Sequence, residues 1–137
     1  MREKKVMTIQ DISCVGQCSL TVALPIISAC GIETAILPSA VLSTHTGFQG
    51  FIFHDLSDDI QAIANHWKNE KICFDAIYSG YLGSVRQVDD VIALMNTLLT
   101  ENGEKIVDPA MADNGKLYTG FDQVFVQAMK RLCGQAN

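Results

Sequence analysis

Residues 105–118 read KIVDPAMADNGKLY. Lys105-Ile106-Val107 has the look of the end of a buried strand, and Asp108-Pro109 places a carboxylate where that strand stops. Asp113 follows five positions later, ahead of Asn114-Gly115. A carboxylate at a strand end, its exit fixed by proline, suits Mg²⁺ or the waters around a polyphosphate. Magnesium prefers oxygen ligands, and one or two carboxylates usually suffice. The same residues also serve as turn punctuation, since Asp-Pro and Asn-Gly are common in loops.

Three further stretches carry groups that could do chemistry. In SGYLGS (79–84), two glycines allow backbone to approach a ligand closely, and Tyr81 between them could stack on a flat heterocycle. Ser84 can also cap a following helix, whose amino end attracts anions; a plain strand–turn–helix reads equally well. In STHTG (43–47), the hydroxyls and the His45 imidazole can bond the heteroatoms of a small ring, although a single loop histidine is more often structural. Gln10-Asp11 could pair with a ring nitrogen or hydroxyl. His54 and His66 carry no functional reading.

These groups need a scaffold, and the hydrophobic pattern supplies one. Residues 6–10 are a short apolar run. Residues 19–30 read as a helix with Val22, Ile26, Ala29 and Cys30 on one face, bent or delayed by Pro25 and stopped by Gly31. Glu33–Leu42 is apolar again and ends near Pro38-Ser39, and 44–56 is a Gly- and Phe-rich loop or hairpin. Ser57 caps a helix with Asp58 and Asp59 in its first turn and the stripe Ile60, Ile63, Ala64, Trp67. Phe74–Ser79 is a strand. Val88, Val91, Ile92, Met95 and Leu99 mark a helix ended by Asn102-Gly103. Residues 105–108 form a fourth strand, and 121–133 a final helix with Val124, Phe125, Ala128 and Leu132 inward. Strand and helix alternating at this spacing predict right-handed βαβ units, an α/β fold and a mainly parallel sheet with helices on its faces. Ligands in such folds bind at the carboxyl ends of the strands. Asp11, residues 43–46, residues 79–81 and Asp108 all fall at such ends.

The totals limit the functions available. A chain of 137 residues supports one domain with a real core. It carries 48% hydrophobic and 18% charged residues and a net charge of −5, which disfavours disorder and a nucleic-acid partner. The longest apolar run, 21–32, contains Pro25 and Gly31 and is too short to span a bilayer, so no membrane association and a cytoplasmic location are expected. Five cysteines in no staple spacing agree with a reducing compartment. Cys14 and Cys18 with His45 or His54 could hold a metal, but small buried thiols are the simpler reading.

Taken together, IQD (9–11), STHTG, SGYLGS and VDPAMADNGKLY (107–118) resemble, in order and spacing, the N-terminal half of a pyridoxal/pyridoxamine kinase of the ribokinase-like superfamily. The likeness covers nearly the whole chain. Hydroxymethylpyrimidine kinases share that fold and are the nearest confusion. The resemblance implies a three-layer α/β fold, with residues 1–137 forming the N-terminal part of one kinase domain that stops after its fourth main strand and following helix. It implies ATP-dependent phosphorylation of the 5′-hydroxymethyl group of pyridoxal, pyridoxine or pyridoxamine, with ATP as co-substrate and Mg²⁺ as cofactor. A monovalent cation is a further candidate, and the full-length family suggests a homodimer.

Residue by residue, the resemblance implies that Asp11 touches the pyridine ring, where many members carry serine. Thr46, with His45 beside it, contacts the vitamer. Ala40 and Leu42 are apolar pocket positions, and Tyr81 lines the vitamin pocket. Asp108 and Asp113 lie on the nucleotide and phosphate side, with Asp108 a metal ligand through water. Ala112 stands where the family usually has glycine. The family's second half carries a glycine-rich anion hole ending in the aspartate that deprotonates the substrate hydroxyl. No Gly-x-Gly-Asp stretch occurs in this chain, so no catalytic residue is assigned here. A non-catalytic, vitamin-binding paralogue is the alternative from another functional class.

Overall fold

The computed structural model of the chain describes residues 3–137. Its strands are β1 (Lys5–Ser13), β2 (Glu33–Leu42), β3 (Phe53–Asp55), β4 (Phe74–Ser79) and β5 (Leu99–Val107). They form one sheet in the order β3-β2-β1-β4-β5. β1, β2, β4 and β5 run parallel, and β3 lies antiparallel on the outer edge of β2. The connecting helices are α1 (Leu20–Ala29), α2 (Ser57–Asn69) and α3 (Val85–Thr97). A small hairpin, β6 (Ala112–Asp113) and β7 (Lys116–Leu117), leads into α4 (Gln123–Cys133).

Strand alternation divides the apolar residues between two faces. On one face Met7, Ile9, Leu37, Phe74 and Ile77 meet Ile60 and Ala64 of α2, Val88, Val91 and Met95 of α3, and Phe125, Met129 and Leu132 of α4 in a single cluster. Helix α1 packs on β1 and β2, and its buried Leu20 lies outside that cluster, so α1 covers the opposite face. The result is helix, sheet, helix. From central β1 the chain first runs out to β2 and then crosses back to β4 and β5. That reversal opens a crevice at the carboxyl end of β1, the place where open α/β sheets hold ligands.

Several expected boundaries shift, each for a physical reason. β1 continues to Ser13, so Asp11 is inside the strand rather than after it. Helix α1 buries Leu20 and leaves Ile26 exposed; nearly all its residues are apolar, so the pattern could not select the inward face. Ser57 is the first helical residue, and the Asp55 carboxylate accepts its N–H at 2.8 Å, taking the capping role expected of Ser57. Helix α3 stops at Thr97, and Leu99, Asn102 and Gly103 belong to β5. There the pairing jumps from Phe74↔Leu99 to Ala76↔Glu104, and the bulged strand absorbs the Asn-Gly that looked like a helix stop. In α4 Val124 points outward and Met129 takes the inward place expected of it. Cys14, Cys30 and Cys133 are exposed, contrary to the expectation of buried thiols.

Candidate functional site

At the carboxyl ends of the parallel strands lies an open cavity of about 580 Å³. Four chain segments line it: Gln10, Asp11 and Ser13 of β1 with Gln17–Ser19 after it; Leu42 with His45–Gly47; Tyr81; and Asp108, Ala110, Asp113 and Tyr118.

A local irregularity lies beside Asp11. Gln10 pairs with Pro38, but Ile12 pairs with Val41, so one residue of β1 faces two of β2. Such bulges bend a strand and re-aim a side chain near a site. Asp11 is 4% exposed, and its Oδ2 accepts the Ser13 hydroxyl at 2.8 Å. Gln10, equally buried, donates from Nε2 to Thr8 Oγ1 at 3.0 Å. Gly80 lies against Gln10: a Cβ there would come within 2.5 Å of the Gln10 amide. A side chain at Gly80 would have to displace the buried Gln10 side chain that lies against it.

The Tyr81 loop is held from several directions. Gly80 N–H donates to Ile9 O at 3.1 Å, and Ser39, in the bulge of β2, reaches Tyr81 O from its hydroxyl at 3.5 Å. Buried Gln87 of α3 accepts the Gly83 N–H at 2.7 Å on Oε1. Its Nε2 donates to Ser39 O at 3.0 Å, Ser57 Oγ at 2.9 Å and Asp55 Oδ1 at 3.2 Å. One side chain therefore ties together β2, β3, α2 and the loop that carries Tyr81. Ser84 caps α3 as its spacing implies, its hydroxyl accepting the Gln87 N–H at 3.2 Å. Burial would raise the Asp55 pKa, but hydrogen bonds from Ser57 and Gln87 and the nearby Arg86 charge outweigh it, and the pKa is lowered.

Tyr81 is half-buried and belongs to an aromatic row. Its ring lies 5.7 Å from Phe121 at 25° and 6.4 Å from Tyr118, and Phe121 stacks on Phe125 at 3.9 Å. Burial, then the charge of Asp11, then Tyr118, raise the Tyr81 pKa, so its phenol keeps its proton as a donor at neutral pH. His45 plays a more structural part. Its backbone N–H donates to Val15 O, its Nδ1 accepts the Gly47 N–H at 3.0 Å, and its ring meets Phe48 at 4.8 Å. Gly16 and Gly47 press on the imidazole, and a Cβ on either would clash with it. Nδ1 being occupied, Nε2 is the nitrogen left to face a ligand.

Across the cavity the carboxylates are exposed. Asp108 follows β5, its N–H bonded to Ser79 O at 2.9 Å. Asp113 ends β6 beside a turn in which Asn114 and Gly115 take φ of 49° and 76°, a left-handed pair that Asn-Gly tolerates well. Tyr118 returns beneath, donating its N–H to Met111 O at 2.9 Å. Burial, then the charges of Asp113 and Asp108, raise its phenol pKa, so both carboxylates act on one spot. Among the described residues no three His, Cys, Asp or Glu side chains converge as a metal cage. Two exposed carboxylates instead fit a Mg²⁺ that keeps its waters and takes its remaining oxygens from phosphate.

The structure thus brings Asp11, Leu42, His45, Thr46, Tyr81, Asp108 and Asp113 to one cavity. Ala40 is apart from them, buried in β2 opposite Asp55 of β3, because the bulge turns it away from the lining. Tyr118, Ser13, Gln17 and Ser19 line the cavity without having been singled out, Cys18 lines it after being weighed only as a metal ligand, and Gln87 was missed altogether. Only Tyr118 had a signal, as an aromatic two positions beyond the Asn-Gly turn and Lys116.

No protein-family model matches the chain. It is 27% identical over 136 residues to a pyridoxal kinase of Arabidopsis thaliana, an alignment spanning 92% of this chain and 42% of that protein. Among solved structures it is similar to a Bacteroides thetaiotaomicron protein designated a phosphomethylpyrimidine kinase and crystallised with pyridoxal. The TM-score is 0.94 at 42% identity, over 98% of this chain and 47% of that one. The pyridoxal kinase of Lactobacillus plantarum gives a TM-score of 0.87 at 36% identity, over 94% and 46% respectively. The chain spans less than half the length of the curated relatives it matches.

Proposed function

We propose that this chain, pyridoxal kinase-like in sequence and in fold, forms the vitamer-binding side of an ATP-dependent kinase for pyridoxal, pyridoxine or pyridoxamine. One observation carries the reading: a ring-stacking side (Tyr81, Leu42, Asp11) and a carboxylate side (Asp108, Asp113) share a single cavity. Phosphoryl transfer depends mainly on positioning and charge neutralisation. In this arrangement Tyr81 and Leu42 would sandwich the pyridine, while His45 and Thr46 offer polar groups at its edge. The 5′-hydroxymethyl group would then face the carboxylates. ATP would supply the phosphoryl group and Mg²⁺ would offset its charge, with Asp108 and Asp113 as the residues that hold the hydrated ion. No residue of this chain is assigned as the base that takes the hydroxyl proton. Action in the cytoplasm as a homodimer, with a monovalent cation assisting, completes the proposal. Among the described residues, no helix is long and apolar enough to cross a membrane.

A second reading, a hydroxymethylpyrimidine as the substrate, draws support from the designation of the Bacteroides neighbour. Calorimetric titration of the chain with each vitamer and with a hydroxymethylpyrimidine separates the two. Tighter binding of at least one vitamer is the expected result. Preference for the pyrimidine, or no binding of any vitamer, would overturn the proposal.

A further inference from the structure

Neither Gln87 nor Asp55 lines the cavity, yet both bond toward the loop that carries Tyr81. An uncharged glutamine amide has a carbonyl end and an NH₂ end, and its surroundings decide which way it lies. Around Gln87, 1% exposed on α3, every neighbour decides alike. Three acceptors face Nε2: Ser39 O, Asp55 Oδ1 and Ser57 Oγ. One donor, the Gly83 N–H, faces Oε1 at 2.7 Å. Asp55 contributes twice. Its Oδ1 accepts from Nε2 directly, and it also accepts the Ser57 hydroxyl proton, which leaves the Ser57 oxygen to act as an acceptor for the amide. A flipped amide would set a carbonyl oxygen against three acceptors and an N–H against an N–H.

The result is a relay from the edge strand of the sheet into the loop: Asp55 of β3 orients Gln87, and Gln87 holds Gly83. Gly83 stands two residues beyond Tyr81. The other bonds to the loop hold the Gly80 N–H at 3.1 Å and Tyr81 O at 3.5 Å, so the Gln87 bond is the shortest of the three. We propose that Gln87 and Asp55 are positioning residues for the ring side of the cavity, fixing Tyr81 before the ligand arrives. The inference rests on the vitamer reading, in which Tyr81 stacks on the pyridine. It adds that affinity depends on two residues that never touch the vitamer. A loop ordered beforehand loses less freedom on binding.

The test is calorimetric titration with pyridoxine of Asp55→Ala, Asp55→Asn and Gln87→Met, each in the wild-type and in the Tyr81→Ala background. The temperature is one at which circular dichroism shows every variant folded. Asp55→Ala and Gln87→Met should weaken binding roughly 3- to 10-fold, as one side chain is left for the ligand to order. Asp55→Asn keeps an oxygen that can accept from Ser57 and Gln87, and should restore most of the affinity. In the Tyr81→Ala background the same changes should move affinity by less than about twofold, because the group they position is gone. The Gly83 amide should also exchange faster in Asp55→Ala than in the wild-type chain. Wild-type affinity in both Asp55→Ala and Gln87→Met, or losses of equal size with and without Tyr81, would overturn the inference. Should Gln87→Met fail to fold, Asp55→Ala decides alone, since Asp55 is exposed. Failure of the wild-type chain to bind any vitamer contradicts the vitamer reading itself, a result distinct from vitamers binding equally well without Asp55 and Gln87.

Discussion

The two sides of the cavity are built differently. On the ring side, Asp11 lies in the central strand, and the Tyr81 loop is fixed by Gly80 to Ile9, by Ser39 and by Gln87. On the carboxylate side, Asp108 and Asp113 are exposed, and a two-residue turn with left-handed Asn114 and Gly115 presents the second of them. The contrast matches what each side would recognise. A flat ring is bound by surfaces whose geometry is set in advance, because every side chain ordered on binding costs affinity. A hydrated Mg²⁺ keeps several waters, so its carboxylates must stay wet.

If the ring side is the rigid one, its keystone should matter most. Gln87→Leu removes four hydrogen bonds, orphans the Gly83 N–H and leaves Ser39 C=O with the Leu56 N–H alone. The expected cost is roughly 3 kcal/mol in urea unfolding, since each orphaned buried group costs about 1–3 kcal/mol. A wild-type unfolding midpoint would break the comparison. The next largest effect is on binding. Tyr81→Ala should weaken vitamer affinity roughly 10- to 100-fold, from stacking worth about 1–3 kcal/mol. Tyr81→Phe should keep most of it, and calorimetry on both variants separates the ring's contribution from the hydroxyl's.

Much of this contrast could be read from residue types alone. Asp108 after an apolar strand, Tyr81 between two glycines and the Asn-Gly turn all announce themselves locally, and Phe74–Ser79 has the bounds its apolar run suggested, whereas β2 runs past the Pro38-Ser39 stop to Leu42. What stayed hidden depends on tertiary register. Asp11 looked like a loop carboxylate because nothing local marks where β1 ends, and Ala40 looked like a pocket residue because the bulge opposite Asp11 leaves no local trace. Gln87 shares the inward face of α3 with Val91, Leu94 and Met95, but its polar side chain kept it out of an apolar stripe. The Asn102-Gly103 pair carried a real signal for a break, but the break is a bulge within β5 rather than the end of a helix.

A gentler probe is pH. Tyr78, Tyr81 and Tyr118 all have raised pKa values, with burial the first cause in each case. Their folded pKa values lie above the unfolded one, so the associated stability is fully present below the unfolded value of 10.0 and is lost as pH rises through the folded values. Unfolding midpoints should therefore be flat from neutral pH to about 9 as far as these groups decide, and fall above about 10. Phenolate absorbance should emerge later in the folded chain than in urea; coincident curves would show the phenols to be in open water. The smallest expected effect is that of Asp108→Asn on vitamer affinity, a change of less than about twofold, because exposed charges interact weakly through water. The same variant should weaken the Mg²⁺ dependence of nucleotide binding by a larger factor, and the reverse ranking would exchange the two sides.

Amide chemical-shift mapping on the labelled chain tests the division of the cavity most directly. Pyridoxine should shift the amides of Asp11, Ser13, Leu42 and Tyr81, while Mg²⁺ with ATP should shift Asp108, Ala110 and Asp113. Pyridoxine acting on the 108–118 hairpin while leaving β1 and the Tyr81 loop unmoved would contradict the assignment of the ring to the Asp11–Tyr81 side.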